Sequence, residues 1–111
     1  MIKKTIPNRG DIIVLNFSPT SGHEQSGVRP AVVLSGTDFN QGGLAFVCPI
    51  TSVARGHFFE IKINTPKTKG FILAYHIRSI DYKSRKAKIV DRIDKDSLEE
   101  VIDKVKIVLE G

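Results

Sequence analysis

The hydrophobic positions of this chain change period once: before Asp94 they fall in short strand-like runs, and from Asp94 onward they recur at helical spacing. Residues 11–17 form the first run, and because Ile12 to Leu15 do not alternate with polar residues, this strand is expected to be buried on both faces. Pro19 ends it. A second strand opens at Arg29-Pro30 and runs through Ala31, Val32, Val33 and Leu34, with Pro30 at a strand start or on an edge because it has no amide to donate. Residues 35–43 read as a connection, in which Thr37 or Asp38 caps one short helical turn and Gly42-Gly43 makes a reversal. Residues 44–51 form the third strand, and Pro49 should interrupt its ladder so that Ile50 to Ser52 swing away from regular pairing.

Residues 58–63 alternate, with Phe59, Ile61 and Ile63 inward and Glu60 and Lys62 outward, as in a half-buried strand. After a turn at 65–70, residues 71–75 and 76–81 are expected as two short strands with a bend between them, and 86–90 as a weaker strand. Beyond Asp94, Leu98, Val101, Ile102, Val105, Val108 and Leu109 fall on one face of an amphipathic helix. Asp94 or Ser97 can cap it, and Ser97 with Glu100 has the capping-box spacing. About six or seven short strands followed by one helix, without strand–helix alternation, predict a mainly β (α+β) fold: a small, strongly bent antiparallel sheet or barrel with a C-terminal helix packed on it. They exclude a Rossmann-type fold.

At 111 residues the chain is expected to form a single domain, 1–111, large enough to bury a core without staples. Its one cysteine, Cys48, makes no internal disulfide, which suits a reducing compartment. With no apolar run near the roughly 20 residues of a membrane span, and no signal-peptide core at the N-terminus, a soluble cytoplasmic protein with no membrane partner is expected. Seventeen Lys and Arg against twelve Asp and Glu leave a net charge of +5, which attracts polyanions. The basic residues concentrate in the second half, from Lys67 to Lys88, while Asp91 to Asp103 carry an acidic cluster.

Common chemical signatures are absent: no phosphate-binding glycine loop, no Cys/His spacing for zinc and no nucleophile elbow. His23, His57 and His76 stand far apart in sequence, so neither a metal nor a cofactor is expected. The stretch 19–30, between the first two strands, is different in kind. It offers His23 and Glu24 as proton acceptors and Arg29 as a permanent cation able to hold a phosphate in bidentate fashion. RNA supplies its own nucleophile, the 2′-hydroxyl, so cleavage needs only a base, charge stabilisation at phosphorus and an acid for the leaving oxygen. Each residue also has an ordinary reading. Glu24 can pair with a lysine, His23 can be a turn residue, Arg29 can cover apolar surface with its stem, and Thr51 and Ser52 can be plain strand-end hydroxyls.

Gly10-Asp11-Ile12, residues 17–25, residues 27–35 with Arg29-Pro30, Phe39-Asn40, the strand ending Pro49-Ile50-Thr51-Ser52, and Arg78-Ser79-Ile80-Asp81 together resemble the MazF/PemK toxins of toxin–antitoxin pairs. The resemblance covers essentially the whole chain. It implies an SH3-like β-barrel with a C-terminal helix, acting as a homodimer that cuts single-stranded RNA at a short sequence without a metal. The ends it implies are a 2′,3′-cyclic phosphate and a 5′-hydroxyl. By the same resemblance Arg29 and Thr51 stabilise the phosphate, and Glu24 and His23 match loop positions tied to activity. Where many relatives carry Asp-Gln, this chain has Tyr75-His76, which leaves the base among Glu24, His23 and His76 and suggests stacking of Tyr75 and His76 on an unpaired base. The surface expected to meet RNA comprises Phe17, Pro19, Thr20 and Gln25 around the loop, and Ser52, Arg55, His57, Tyr75, His76 and Arg78 elsewhere. The resemblance further implies a cognate antitoxin whose acidic, disordered C-terminal segment competes with RNA for one basic surface. A non-catalytic RNA- or protein-binding barrel of the same fold is the alternative.

Overall fold

The computed structural model describes residues 6–18 and 27–111. Among the described residues, seven strands and two helices follow in order: β1 (Asp11–Asn16), β2 (Val28–Val33), α1 (Thr37–Asn40), β3 (Leu44–Thr51), β4 (Glu60–Asn64), β5 (Lys69–Leu73), β6 (Arg78–Asp81), β7 (Lys88–Arg92) and α2 (Lys95–Glu110). The strands pair antiparallel in the order β4-β5-β3-β2-β1-β7, with β6 added to β3. This is the curled antiparallel sheet with a C-terminal helix that the periodicity predicts.

Both faces of the sheet are buried near its centre. Ile12, Val32, Cys48, Ile50, Ile61 and Ile72 face one way and pack with Val101 and Val105 of α2. Ile13, Leu15, Phe17, Ala31, Val33, Val47, Ile80 and Tyr82 form a second cluster on the opposite face. The unbroken apolar run at 12–15 thus serves two cores, and each fully buried aliphatic side chain contributes about 1.5–3 kcal/mol. Asp94 caps α2, its carboxylate accepting from the amide and hydroxyl of Ser97 at 3.0 and 2.7 Å. Ser97 is therefore a donor to the cap and not the cap itself. Leu109, assigned by spacing to the buried stripe, is 72% exposed, because the helix outruns the sheet it covers.

Proline sets the main departure from expectation. β3 does not end at Pro49; it continues to Thr51 by changing neighbours. Along one edge it pairs with β6 as far as Val47↔Arg78, and with β5 from Ile50↔Ile72 onward. Pro49 lies in the gap between these ladders, where a residue without an amide is tolerated, while its other edge pairs with Ala31 of β2. Pro30 has the same logic: it pairs with Val14 of β1, but the β2–β3 ladder begins only at Ala31. The short α1 starts at Gly36, whose backbone is the N-cap without a side-chain bond, so neither Thr37 nor Asp38 caps it.

Two family-like segments prove structural. The buried Asp11 accepts from the Asn8 amide and from Arg92 Nη1, both at 2.8 Å, fastening β7 to β1. The Asn40 side chain, fully buried, donates to the carbonyls of Pro7 and Ser35 and accepts from the Ser35 hydroxyl.

Candidate active site

Strand register places Arg29 and Thr51 at the same end of the β2–β3 ladder. The last β2–β3 pair is Ala31↔Pro49, and Arg29 and Thr51 each stand two residues beyond it. Alternation puts them on the same face, at the point where β2 and β3 part because β3 has turned to β5. Arg29 is also opposite Leu15 on β1, so its backbone belongs to the rigid sheet while its position is at the rim of the second core. Thr51 is 7% exposed. Its Oγ1 accepts from the amide of Val53 at 3.3 Å, and as a hydroxyl it retains a proton to donate.

Gly70 makes the setting of Thr51 possible. A Cβ at Gly70 would lie 2.5 Å from the Thr51 carbonyl oxygen and 3.1 Å from Ile50 Cγ2, so β5 approaches β3 here only because residue 70 has no side chain. The row across the sheet continues Thr51↔Phe71↔Lys62, and Lys69, two residues before Phe71, shares that face, so two cations stand on the β4–β5 side of Thr51.

Arg78 joins this rim through Val47↔Arg78. Its guanidinium stands 5.5 Å from the centre of the Phe17 ring and Nη1 donates to the Phe17 carbonyl at 3.4 Å. Phe17 itself is 1% exposed and belongs to the second core, so the expectation that it contacts RNA is corrected: its ring supports Arg78 from beneath. Aromatic character alone cannot separate a stacking platform from a core residue. Pro19, Thr20, His23, Glu24 and Gln25 lie outside the described residues.

A second group of expected residues gathers where the β3–β4 connection meets the β5–β6 turn. His57 stacks on Tyr75 with ring centres 4.5 Å apart, and His76 meets Tyr75 edge-on at 4.6 Å. The Phe59 carbonyl accepts from the Ala74 amide at 3.0 Å, which holds the two segments together. Arg55 closes the connection by donating its amide to both carboxylate oxygens of Glu60, at 3.1 and 3.2 Å. Partial burial and the nearby Glu60 carboxylate raise the Tyr75 phenol above its usual range, against the Arg55 cation, so Tyr75 is neutral at physiological pH. Alternation in 59–63 marks Glu60 only as an outward strand residue, and nothing in its sequence neighbourhood marks it as a neighbour of Tyr75. Ser52 is exposed directly after Thr51. Cys48 is no nucleophile: it is fully buried and burial pushes its thiol up to about 12.

Among the described residues, the expected site residues thus include Arg29 and Thr51 at the end of the β2–β3 ladder and a separate ring cluster of His57, Tyr75 and His76. The chain is similar to known proteins over nearly its whole length. Residues 8–109 match the family described as PemK-like, MazF-like toxin of type II toxin–antitoxin system. The endoribonuclease toxin ChpB of Escherichia coli is 37% identical over 116 residues, covering 99% of this chain and 100% of its own. A crystal structure of MazF from Deinococcus radiodurans superposes with a TM-score of 0.92 at 40% identity, covering 97% of this chain and 100% of that one. A MazE–MazF complex from the same organism superposes at 0.85, again at 40% identity, over 96% and 98% of the two chains. With the match running nearly end to end, the chain belongs to the PemK-like, MazF-like toxin family of type II toxin–antitoxin systems.

Proposed function

We propose that this chain is a cytoplasmic endoribonuclease toxin, working as one domain, that cuts single-stranded RNA at a short sequence without a metal ion. The observation that carries the reading is the placement of Arg29 and Thr51 on one face where β2 and β3 part. A phosphate seated there receives a bidentate cation from one strand and a hydroxyl donor from the other. The RNA 2′-oxygen bonds to phosphorus while its proton goes to a base, for which Glu24, His23 and His76 remain the candidates. The bond from phosphorus to the 5′-oxygen breaks, and that oxygen takes up a proton. The products are a 2′,3′-cyclic phosphate and a 5′-hydroxyl. Tyr75, His57 and His76 provide π-faces for an unpaired base and Arg55 a charged neighbour, so sequence preference resides there.

The test is to incubate a long transcript with the protein in excess chelator and to map both ends of every fragment. Cuts should recur at one short sequence with 5′-hydroxyl and cyclic-phosphate ends, and Tyr75→Ala should alter the sequence chosen. Random ends, or 5′-phosphates, would overturn the reading. Binding without any cleavage would favour the non-catalytic barrel.

The antitoxin partner is supported by the solved MazE–MazF complexes of the Deinococcus relatives. Arg29 on β2, with Lys62 and Lys69 across the sheet on β4 and β5, would supply the positive charge that attracts an acidic, disordered segment in competition with RNA. A homodimer has a surface to use: Phe39, Leu44 and Phe46 are 49%, 43% and 41% exposed, with the two rings 5.3 Å apart. On β3 these positions continue the face that α2 covers at Cys48 and Ile50, past the end of the helix cover. Sedimentation equilibrium should give a dimer for the native chain and a folded monomer for Phe46→Glu; a dimer unchanged by that substitution would exclude this face.

A further inference from the structure

We infer that Arg85, in the turn between β6 and β7, is a positioning residue for Arg29, acting through the end of β1 against which Arg29 is registered. The inference rests on the functional reading above. Arg85 Nη1 donates to the Asn16 carbonyl at 2.7 Å and to the Ser18 carbonyl at 3.2 Å. The carbonyl between them, Phe17, accepts from Arg78 at 3.4 Å. Two guanidinium groups, from β6 and from the following turn, thus hold three successive carbonyls that lie more than sixty residues away in sequence.

Those carbonyls form the stem of the β1–β2 hairpin. Its inner side is closed by Phe17 N–H donating to Gly27 O at 2.9 Å and by Gly27 N–H donating to Ser18 Oγ at 3.0 Å. That closure continues the register Leu15↔Arg29 and Asn16↔Val28, so the stem bounds the end of the ladder on which Arg29 stands. Arg85 is itself fixed. Its amide donates to the Asp81 carbonyl at 3.1 Å, and the Asp81 carboxylate accepts from the Ser84 amide at 3.0 Å, shaping the turn from which Arg85 projects. A guanidinium is well suited to grip phosphate, yet here Arg85 Nη1 is taken up by two backbone carbonyls. Bracing the hairpin gives it a purpose there.

The experiment pairs amide exchange with kinetics on the full chain. In Arg85→Ala the Phe17 and Gly27 amides should exchange about tenfold faster or more, with the protection of α2 unchanged. RNA cleavage by the same variant should lose about 10- to 100-fold in kcat while KM stays within about threefold. Arg85→Lys, which keeps donors for the two carbonyls, should restore part of both. Unchanged exchange at Phe17 and Gly27 would overturn the brace. A raised, salt-sensitive KM at constant kcat would also overturn it, making Arg85 a phosphate contact. Should the native chain cut no RNA, the endoribonuclease reading fails, whereas the exchange result still decides the brace.

Discussion

Replacing Arg29 by alanine should reduce RNA cleavage by about 100- to 1,000-fold, the usual effect of removing one preorganised donor from a developing oxyanion. The reason is local. Arg29 sits in β2 with its backbone paired to Leu15, two residues past the last β2–β3 pair, so its charge is presented by a rigid strand and not by a flexible loop. A fixed cation needs no reorganisation when charge builds on phosphorus, and alanine removes that charge while leaving the sheet intact. The melting temperature should move by less than about 4 °C, because Arg29 is not part of either buried core. Arg29→Lys should recover only part of the rate, since an ammonium keeps the charge but loses the bidentate fork. Single-turnover cleavage of a mapped oligonucleotide, with thermal melts of each variant, checks all three statements. Equal rates for the native and alanine proteins would remove Arg29 from the mechanism.

The second large effect is expected from Gly70→Ala, a position with no chemistry of its own. The added methyl would lie 2.5 Å from the Thr51 carbonyl oxygen, a separation that backbone atoms do not tolerate, and φ at Gly70 is +152°. Either β5 or the end of β3 must move. Overpacking of this kind costs about 1–3 kcal/mol, which in a chain of this size lowers the melting temperature by roughly 4 °C for each kcal/mol. Because the displaced atom belongs to Thr51, cleavage should fall more than stability alone explains, measured where the variant is still fully folded. Gly42→Ala is the control: its nearest neighbour, the Phe39 carbonyl oxygen, is 3.8 Å from the new methyl, so both melting and cleavage should be nearly unchanged. A Gly70→Ala protein as stable and active as Gly42→Ala would mean that the β3–β5 approach is not what holds Thr51.

Both predictions depend on features that the chain expresses unequally in one dimension. Arg29 is legible because charge, a following proline and an apolar strand are adjacent in sequence, and the match with MazF/PemK segments converges on the same residue. Gly70 is not. As a residue it reads as part of a turn, and only the pairing Thr51↔Phe71 shows that it lies under the backbone of the candidate site. Arg85 is similar: one basic residue among several, until its guanidinium is found on the carbonyls of Asn16 and Ser18.

What the sequence by itself determined is the set of elements, through period. Alternation in 59–63, the unbroken run at 12–15 and helical spacing after Asp94 each encode how many faces an element buries, and burial is a local property of a strand or helix. Its residues also single out the stretch between β1 and β2 as a candidate for chemistry, while the end of β3 becomes a candidate only through the family resemblance. The tertiary structure alone decided which ladder each strand edge joins. Pro49 was read as an interruption because the missing amide is a local fact, but its consequence depends on whether a neighbour exists at that edge, and at Pro49 the β6 ladder has ended and the β5 ladder has not begun. Phe17 went to the core and Tyr75 to the surface beside His57 for the same kind of reason: an aromatic ring stabilises either position, and only the packing around it selects one. Side-chain type limits what a residue can do, whereas partners distant in sequence decide which of those things it does.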